Sequence, residues 1–386
     1  MRSVELFTGC GGLAMGLSRA GYESVRMVEW DKHSVVNVRH NIDRGLAHVR
    51  DWPIHQEDVR SVEWTQYRGV ELVSGGPPCQ PFSVGGRHRG HEDHRDMWPE
   101  AVRAVREIEP RGFLFENVRG LAREAFAHYL RWVMASLAHP HVTRHEDETR
   151  EAHLARLEQA GEALYRVRMM QVNAADYGAA QKRHRVVIMG VHRDVGELPP
   201  LLTPTHSRER LLWDQWVTGE YWKRHALPRP RSGPDNVDAA IVRRLKNSMI
   251  APQMLPWRTV RDAIEGLGQP GTGNLPNHIL QPGARSYPGH TGSPLDQPSK
   301  ALKAGVHGVP GGENTISLPG GKIRYLTVRE AARLQGLPDD YEFVGSWSEN
   351  MRQLGNAVPT QLAEAAARSL GTVIGAARPA RKKRAA

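Results

Sequence analysis

Short apolar runs alternate with amphipathic stretches along the first half of the chain. The runs that predict β-strands fall at residues 4–7, 25–29, 70–74, 112–116, 166–172 and 186–190. Helical patterns lie between or after them, at residues 13–20, 32–40, 97–108 and 122–137. Strands that alternate with helices predict a parallel sheet with helices on both faces, which is an α/β fold.

The pattern changes near residue 193. From there to about residue 322, proline and glycine are frequent and helical periodicity is scarce outside residues 259–267. We therefore expect a first domain over residues 1–192, a smaller loop-rich domain over 193–326, and a return segment over 327–386. The last helix of this return segment, within 361–374, is expected to pack on the first domain. A charged helical stretch at 146–159 is typical of a surface insertion.

Composition and charge narrow the class of protein. The chain has 386 residues, of which 39% are hydrophobic and 24% charged, so it is expected to be globular rather than disordered. No apolar run is long enough to span a membrane, and no signal peptide is evident. Two cysteines exclude a disulfide framework and a four-cysteine zinc site, and fit a cytoplasmic location. The net charge of +10 favours a polyanionic partner, and the basic end of the chain is interpreted as a solvated tail.

A glycine-rich turn follows the first predicted strand. Gly9, Gly11 and Gly12 let the backbone turn sharply and approach a ligand closely. Glu29 ends the next predicted strand, twenty positions after Gly9, where a carboxylate can bind a ribose diol. This pattern indicates a cofactor that contains adenosine. It leaves nicotinamide dinucleotides and S-adenosylmethionine equally open.

A second loop carries a candidate nucleophile. Residues 75–83 contain two glycines and three prolines around Cys79, directly after a predicted strand. A rigid loop at the carboxyl end of a strand favours a reactive thiol over a buried core cysteine. Such a thiol needs cations or hydrogen-bond donors to stabilise its thiolate. Glu116 at another strand end, and the basic pair Arg183 and Arg185, are candidates to complete the site.

Taken in order, these motifs resemble those of the DNA (cytosine-5) methyltransferases of bacterial restriction–modification systems. The matching segments are Phe7-x-Gly9-x-Gly11-Gly12, Pro77-Pro78-Cys79-Gln80, Glu116-Asn117-Val118, Gln181-x-Arg183-x-Arg185, Arg329–Gly336 and Gly355-Asn356-Ala357-Val358-Pro359. The resemblance covers most of the chain outside the region rich in proline and glycine. It implies a Rossmann-like methyltransferase sheet and a separate target-recognition domain over 193–326.

The resemblance also implies a mechanism. Cys79 would attack C6 of cytosine, so that the neighbouring C5 could accept a methyl group. Glu116 would hold N3 and the exocyclic amine, and burial would favour the protonated carboxyl that this role needs. Arg185, with Arg183, would stabilise the thiolate and the O2 of the base. Loss of the C5 proton, with water as a candidate base, would then expel Cys79.

The implied cofactor is S-adenosylmethionine. Phe7 and Trp30 would flank its adenine, Glu29 would bind its ribose, Asp58 the adenine amine, and Asn356 the methionine end. The full set of implied cofactor residues is Phe7, Gly9, Gly11, Gly12, Glu29, Trp30, Asp58, Pro77 and Asn356. No metal is implied.

The implied partner is double-stranded DNA, from which the target base must rotate out of the stack. Candidate DNA contacts are Gln80, Ser83, Arg285 and His307. A monomer is expected, alongside a restriction endonuclease that would act independently. Three alternatives remain: a transfer-RNA cytosine methyltransferase, an inactive DNA-binding relative, and a nicotinamide-dependent dehydrogenase. The first would carry a further cysteine after Cys79, and the last leaves the proline-rich loop unexplained.

Overall fold

The computed structural model describes residues 1–78, 96–248, 250–285, 291–304 and 314–376, and these form two compact units. The first unit comprises Met1–Val172, His184–Leu202 and the chain from Ala363 onward. The second comprises Asn173–Arg183 and Thr203–Leu362. Residues 173–183 thus group with the second unit although they lie inside the predicted first domain. The functional domain borders stay predictions.

The first unit is built on a seven-stranded sheet. In chain order the first eight strands are β1 (Arg2–Leu6), β2 (Glu23–Glu29), β3 (Ile54–Gln56), β4 (Leu72–Gly75), β5 (Gly112–Val118), β6 (Tyr165–Asn173), β7 (Gln181–Lys182) and β8 (His184–His192). All except β7 join the sheet, in the order β3-β2-β1-β4-β5-β8-β6. The pairs among β1 to β5 are parallel, and β8 runs antiparallel to β5. The predicted strands are therefore present, with β3 added and one strand reversed.

Helices cover this sheet because each has an apolar stripe. They are α1 (Gly12–Arg19), α2 (Lys32–Asp43), α3 (Trp98–Ile108), α4 (Ala127–Ala138) and α5 (Arg150–Gln159). One core joins strand residues such as Val73, Phe113 and Phe115 to Trp98 of α3 and Leu154 of α5. The participation of α5 in this core corrects the expectation of a surface insertion at 146–159.

The second unit contains more helix than its sequence pattern predicts. Its helices are α6 (Arg208–Leu212), extended by a π-helical turn at Trp213–Val217, then α7 (Glu220–Arg224), α8 (Asn236–Ser248), α9 (Val260–Ile264), α10 (Val328–Leu334) and α11 (Trp347–Asn356). Its short strands are β9 (His206–Ser207), β10 (Leu255–Pro256), β11 (Ser293–Pro294), β12 (Ser299–Lys300), β13 (Thr315–Ser317) and β14 (Ile323–Tyr325). Aromatic residues of α7 and the π-helical turn form a core with Val242 and Leu245 of α8. Strand β12 pairs with β7 of the same unit.

The last helix is α12 (Thr360–Ile374). Its residues up to Leu362 group with the second unit, and those from Ala363 group with the first. Leu370 and Ile374 lie against Gly112 at the start of β5, where a side chain on residue 112 would collide with Ile374. The hydroxyl of Tyr22 donates to the carbonyl of Ala367 at 3.1 Å. These contacts pack α12 against the start of β5 and against Tyr22.

Candidate active site

The predicted glycine turn connects β1 to α1. Phe7, Gly9 and Gly11 all have positive φ angles, of 58°, 58° and 82°. A Cβ on Gly11 would lie 2.5 Å from the ring of Trp52, so both the conformation and the close packing require glycine there. Gly12 then opens α1, with no acidic residue in its first turn. The turn thus leaves the electropositive start of α1 at the carboxyl end of β1.

Hydrogen bonds of the Glu29 carboxylate link this turn to the end of β2. Its Oε2 accepts from the backbone N–H of Gly9 at 2.7 Å, and its Oε1 accepts from the N–H of Asp31 at 2.7 Å. Burial raises the pKa of Glu29, and these two backbone hydrogen bonds oppose the shift. The adjacent Trp30 is 68% exposed, and Phe7 is partly buried. Two aromatic surfaces and a positioned carboxylate therefore occur along the carboxyl edge of neighbouring strands.

Asp58 belongs to the same edge. In the β2–β3 pairing, Glu29 lies opposite Gln56, and Asp58 follows two residues later. Asp58 caps a 3-10 turn at Val59–Ser61 and accepts from Nε of Arg60 at 2.9 Å. The hydrogen bond from the Arg60 guanidinium lowers the pKa of Asp58. The carboxylate is therefore ionised and suited to accept a hydrogen bond from an amine.

The segment that precedes Cys79 is held by Asn117, a residue to which the sequence analysis assigned no role. Asn117 is 3% exposed, and its Nδ2 donates to the carbonyl of Pro77 at 2.9 Å. Upstream, a Cβ on Gly75 would lie 2.6 Å from the carbonyl oxygen of Leu6. Cys79, Gln80 and Ser83 lie outside the described residues. The chain is thus fixed at Pro77, two residues before Cys79.

Glu116 and Arg185 form a buried ion pair. Strands β5 and β8 pair so that Val118 lies opposite Arg185 and Glu116 opposite Val187. Nε of Arg185 lies 2.5 Å from Oε1 of Glu116, and the two side chains are 11% and 10% exposed. A Cβ on Gly76 would be 3.7 Å from Oε2 of the same carboxylate. The structure therefore joins two of the predicted catalytic residues beside the segment that leads to Cys79.

Arg183, Arg285 and Asn356 belong to the second unit. Arg183 is 1% exposed and donates to backbone carbonyls of that unit, including Leu302 at 2.8 Å. Asn356, at the last position of α11, is exposed, and so is Arg285. His307 lies outside the described residues. The structure gives Arg183 a different setting from Arg185, although the two are separated by one residue.

The described residues contain neither a metal-binding cluster nor a membrane-spanning helix. No group of three or more His, Cys, Asp or Glu side chains is arranged to hold a metal ion among the residues described. Within the same ranges, no helix has the length and apolar character needed to cross a membrane.

Comparison with known proteins identifies the family. The profile of the family described as C-5 cytosine-specific DNA methylase matches residues 1–215 and 261–372. The chain is 30% identical to Type II methyltransferase M.NgoMIV of Neisseria gonorrhoeae over 368 residues, which covers 95% of this chain and 96% of that protein. It is 31% identical to Type II methyltransferase M.PspPI of Psychrobacter sp. over 381 residues, which covers 97% and 80%.

Solved structures show the same fold at lower identity. The Dnmt2 methyltransferase of S. pombe matches with a TM-score of 0.57 at 16% identity, covering 96% of this chain and 98% of that one. A DNMT2 variant of Spodoptera frugiperda matches with a TM-score of 0.58 at 14% identity, covering 97% and 99%. With a family profile spanning most of its length and relatives matched end to end, the chain belongs to the C-5 cytosine-specific DNA methylases.

Proposed function

We propose that this protein is the modification enzyme of a restriction–modification system. It transfers a methyl group from S-adenosylmethionine to C5 of a cytosine in a defined sequence of double-stranded DNA. The observation that carries the proposal is the buried pair of Glu116 and Arg185 beside Gly76. An ordinary buried ion pair gains little stability after desolvation, so a functional reason for keeping it is favoured.

The chemistry of cytosine explains why these residue types are needed. C5 is a poor nucleophile until a nucleophile adds to C6. The Cys79 thiolate forms the C6–S bond, and the electron pair of the C5–C6 double bond becomes available at C5. The protonated carboxyl of Glu116 donates to N3, where electron density rises, and its other oxygen accepts from the exocyclic amine. Arg185 donates to O2. After transfer, a base removes the C5 proton, and the returning electron pair breaks the C6–S bond.

The residues of the β1–β3 edge fit S-adenosylmethionine, which would supply a methyl group from its sulfonium centre and leave as the thioether S-adenosylhomocysteine. Glu29, held by Gly9 and Asp31, would accept from the ribose hydroxyls. The rings of Phe7 and Trp30 would pack on the adenine, and Asp58 would accept from its amine. The absence of a side chain at Gly9, Gly11 and Gly12 lets the backbone approach the cofactor, and Pro77 and Asn356 complete the set.

Double-stranded DNA is the proposed partner. The target base leaves the duplex to reach Cys79, and the second unit reads the surrounding sequence. Arg285 is exposed and able to contact phosphates or base edges. A separate restriction endonuclease would recognise the same sequence, and the methyltransferase would act as a monomer.

Covalent trapping tests the proposal directly. We expect a duplex containing 5-fluorocytosine to form a stable adduct with the protein in the presence of S-adenosylmethionine, because fluorine at C5 cannot leave as a proton does. Mass spectrometry of the digested adduct should place the base on the peptide that contains Cys79, with the peptide that contains Cys10 as the internal control. Cys79→Ser should form no adduct and still bind the cofactor.

Bisulfite sequencing of DNA from cells that express the wild-type chain gives the second measurement. Protected cytosines should recur in one sequence context and be absent with Cys79→Ser. Unmodified DNA together with no adduct would overturn the proposal. An adduct on transfer RNA instead of the duplex would favour the RNA-methylating alternative.

A further inference from the structure

A buried polar cluster in the second unit joins four separate segments of the sequence. We call it the Arg183 junction, and it consists of Gln181, Arg183, Leu302, Gln335 and Gly355. The side chains of Gln181, Arg183 and Gln335 are fully or almost fully buried. Burying a guanidinium is costly unless its donors find acceptors, so what Arg183 binds is informative.

Arg183 binds main-chain carbonyls on two different segments. Its Nη1 donates to the carbonyl of Leu302 at 2.8 Å and to Oε1 of Gln181 at 3.3 Å. Its Nη2 donates to the carbonyl of Gly355. Its own backbone N–H donates to Oδ1 of Asn173 at 3.0 Å. The planar guanidinium therefore bridges the chain at 302 and the end of α11.

Two glutamines extend the junction. Oε1 of Gln181 accepts from the backbone N–H of Leu302 at 2.9 Å, and its Nε2 donates to Oε1 of Gln335 at 3.2 Å. Nε2 of Gln335 in turn donates to the carbonyls of Leu354 and, at 3.4 Å, Ala357. Carbonyls at the end of a helix lack intrahelical partners. At the end of α11, side chains of the junction supply those partners, and the charge of Arg183 suits the negative end of a helix dipole.

Gly355 shows how closely these segments pack. A Cβ at this position would lie 2.4 Å from the backbone nitrogen of Ala304 and 2.4 Å from the carbonyl carbon of Lys303. Asn314 holds the same stretch, accepting from the N–H of Lys303 at 3.1 Å and donating to its carbonyl at 2.9 Å. The end of α11 therefore has no freedom to shift toward residues 303–304.

We propose that Arg183 is a positioning residue that fixes the turn at Gly355 and Asn356 for the cofactor. This inference rests on the proposed function, because Asn356 is there assigned to the methionine end of S-adenosylmethionine. It replaces the expectation that Arg183 acts with Arg185 on the thiolate and the base. A lysine can take over the role only in part, because one ammonium group does not present two donors in fixed, divergent directions.

Steady-state kinetics separate positioning from catalysis. We expect Arg183→Met to raise the KM for S-adenosylmethionine by at least tenfold, and to change kcat at saturating cofactor by less than threefold. Arg183→Lys should show the same pattern more weakly. Titration calorimetry with S-adenosylhomocysteine should give a matching rise in Kd. Loss of kcat with an unchanged cofactor KM would assign Arg183 to catalysis and overturn the proposal.

Arg210→Met is the matched control. Arg210 is another arginine of the second unit that donates to a backbone carbonyl, that of Pro252 at 3.1 Å, and pairs with Asp214. Its replacement removes one carbonyl hydrogen bond and one ion pair from the same unit, at a side chain that is 34% exposed, and should leave the cofactor KM within twofold of wild type. An equal rise of the cofactor KM in both variants would mean that any loss of packing in this unit weakens cofactor binding, which contradicts the proposal.

Gly355→Ala tests the same turn if Arg183→Met does not fold. The added methyl group should displace the end of α11 and raise the cofactor KM while Arg183 remains. A folded Gly355→Ala protein with wild-type cofactor affinity would overturn the inference. Wild-type methylation of the duplex is measured in every series, so a failure of the proposed function shows as an inactive wild type. A failure of this inference shows instead as an active wild type with unaffected variants.

Discussion

Glu5 is an acidic residue in a fully buried environment. It lies in β1 and has no exposed surface. Burial raises the pKa of Glu5 to about 8; a backbone hydrogen bond from Ala14 opposes the shift, and the charge of Glu29 adds to it. The carboxyl is therefore mainly protonated at neutral pH. Its proton is held by the folded chain and released on unfolding.

We predict that Glu5→Gln stabilises the protein at alkaline pH. In the unfolded chain the carboxyl ionises near its ordinary value, so wild-type stability falls as the pH rises from about 4.5 to about 8. At roughly 1.4 kcal/mol per pKa unit, the variant should gain on the order of a few kcal/mol at pH 8 and almost nothing at pH 4.5. Urea unfolding across this range measures the difference. Glu71→Gln, at a half-buried carboxyl next to β4, is the control, and a pH-independent gain in Glu5→Gln would contradict the assignment.

At this scale the sequence predicted the positions of residues in the strands better than their contact partners. It placed Glu116 and Arg185 at strand ends, but not their ion pair, because that contact depends on the antiparallel register of β5 and β8. The resemblance grouped Arg183 with Arg185 as stabilisers of the thiolate and of the base, and that role stays a prediction. What no local pattern encodes is that Arg183 donates to the carbonyls of residues 302 and 355, more than a hundred positions away.

Among the elements, α5 is a helix whose buried face was not predicted, because that face carries polar residues. Arg150, His153, Leu154 and Leu157 follow the spacing of one helical stripe. Arg150 pairs with Asp96 at 2.8 Å, with both side chains largely buried. Because two of the four stripe positions are basic, the pattern indicated a solvated helix. The helical spacing of these residues can be read from the sequence, but the partners that allow Arg150 and His153 to face inward cannot.

We predict that His153 makes the α4–α5 contact sensitive to acid. Its Nδ1 accepts from Nε1 of Trp132 at 3.0 Å, and its Nε2 is 2.7 Å from the carbonyl of Val142, so the ring is neutral with its proton on Nε2. Burial lowers the pKa of His153. The stability that this neutral ring contributes is complete above about pH 6.5, the ordinary pKa of histidine, and is lost as the pH falls below it.

The matched variant is His153→Gln, which keeps an acceptor for Trp132 and a donor for Val142 but does not titrate. Its midpoint of thermal unfolding should fall less than that of the wild type between pH 7.5 and 5.5. His33→Gln, at an exposed position of α2, should follow the wild-type curve. If the unfolding midpoint depends on pH equally in the wild type and in His153→Gln, protonation of the ring does not destabilise the folded protein, and the prediction is wrong.

Helices α7 and α8 of the second unit were missed for a different reason. The family profile matches residues 1–215 and 261–372, so α7 and α8 lie outside it. Their core is a small aromatic cluster in which Trp222 packs edge-on against Tyr221 and Trp216. Short helices between proline-rich turns give weak periodicity, and the packing of a few large rings stabilises them instead. Local pattern is therefore least informative where family resemblance also ends.

On the scale of the whole molecule, the net charge of +10 should favour binding to the phosphates of DNA. Each phosphate that the protein neutralises releases condensed counterions from the duplex. We predict that the affinity for a cognate duplex falls by at least about a thousandfold between 50 and 200 mM salt, as expected for roughly six phosphate contacts. Fluorescence anisotropy with a labelled duplex measures the slope. S-adenosylhomocysteine binding in the same buffers is the control, because its contacts with the protein release no such counterion atmosphere and its affinity should stay within a few fold. A duplex affinity as insensitive to salt as that of the cofactor would mean that phosphates are not the main contact, and that the positive charge of this chain serves another partner.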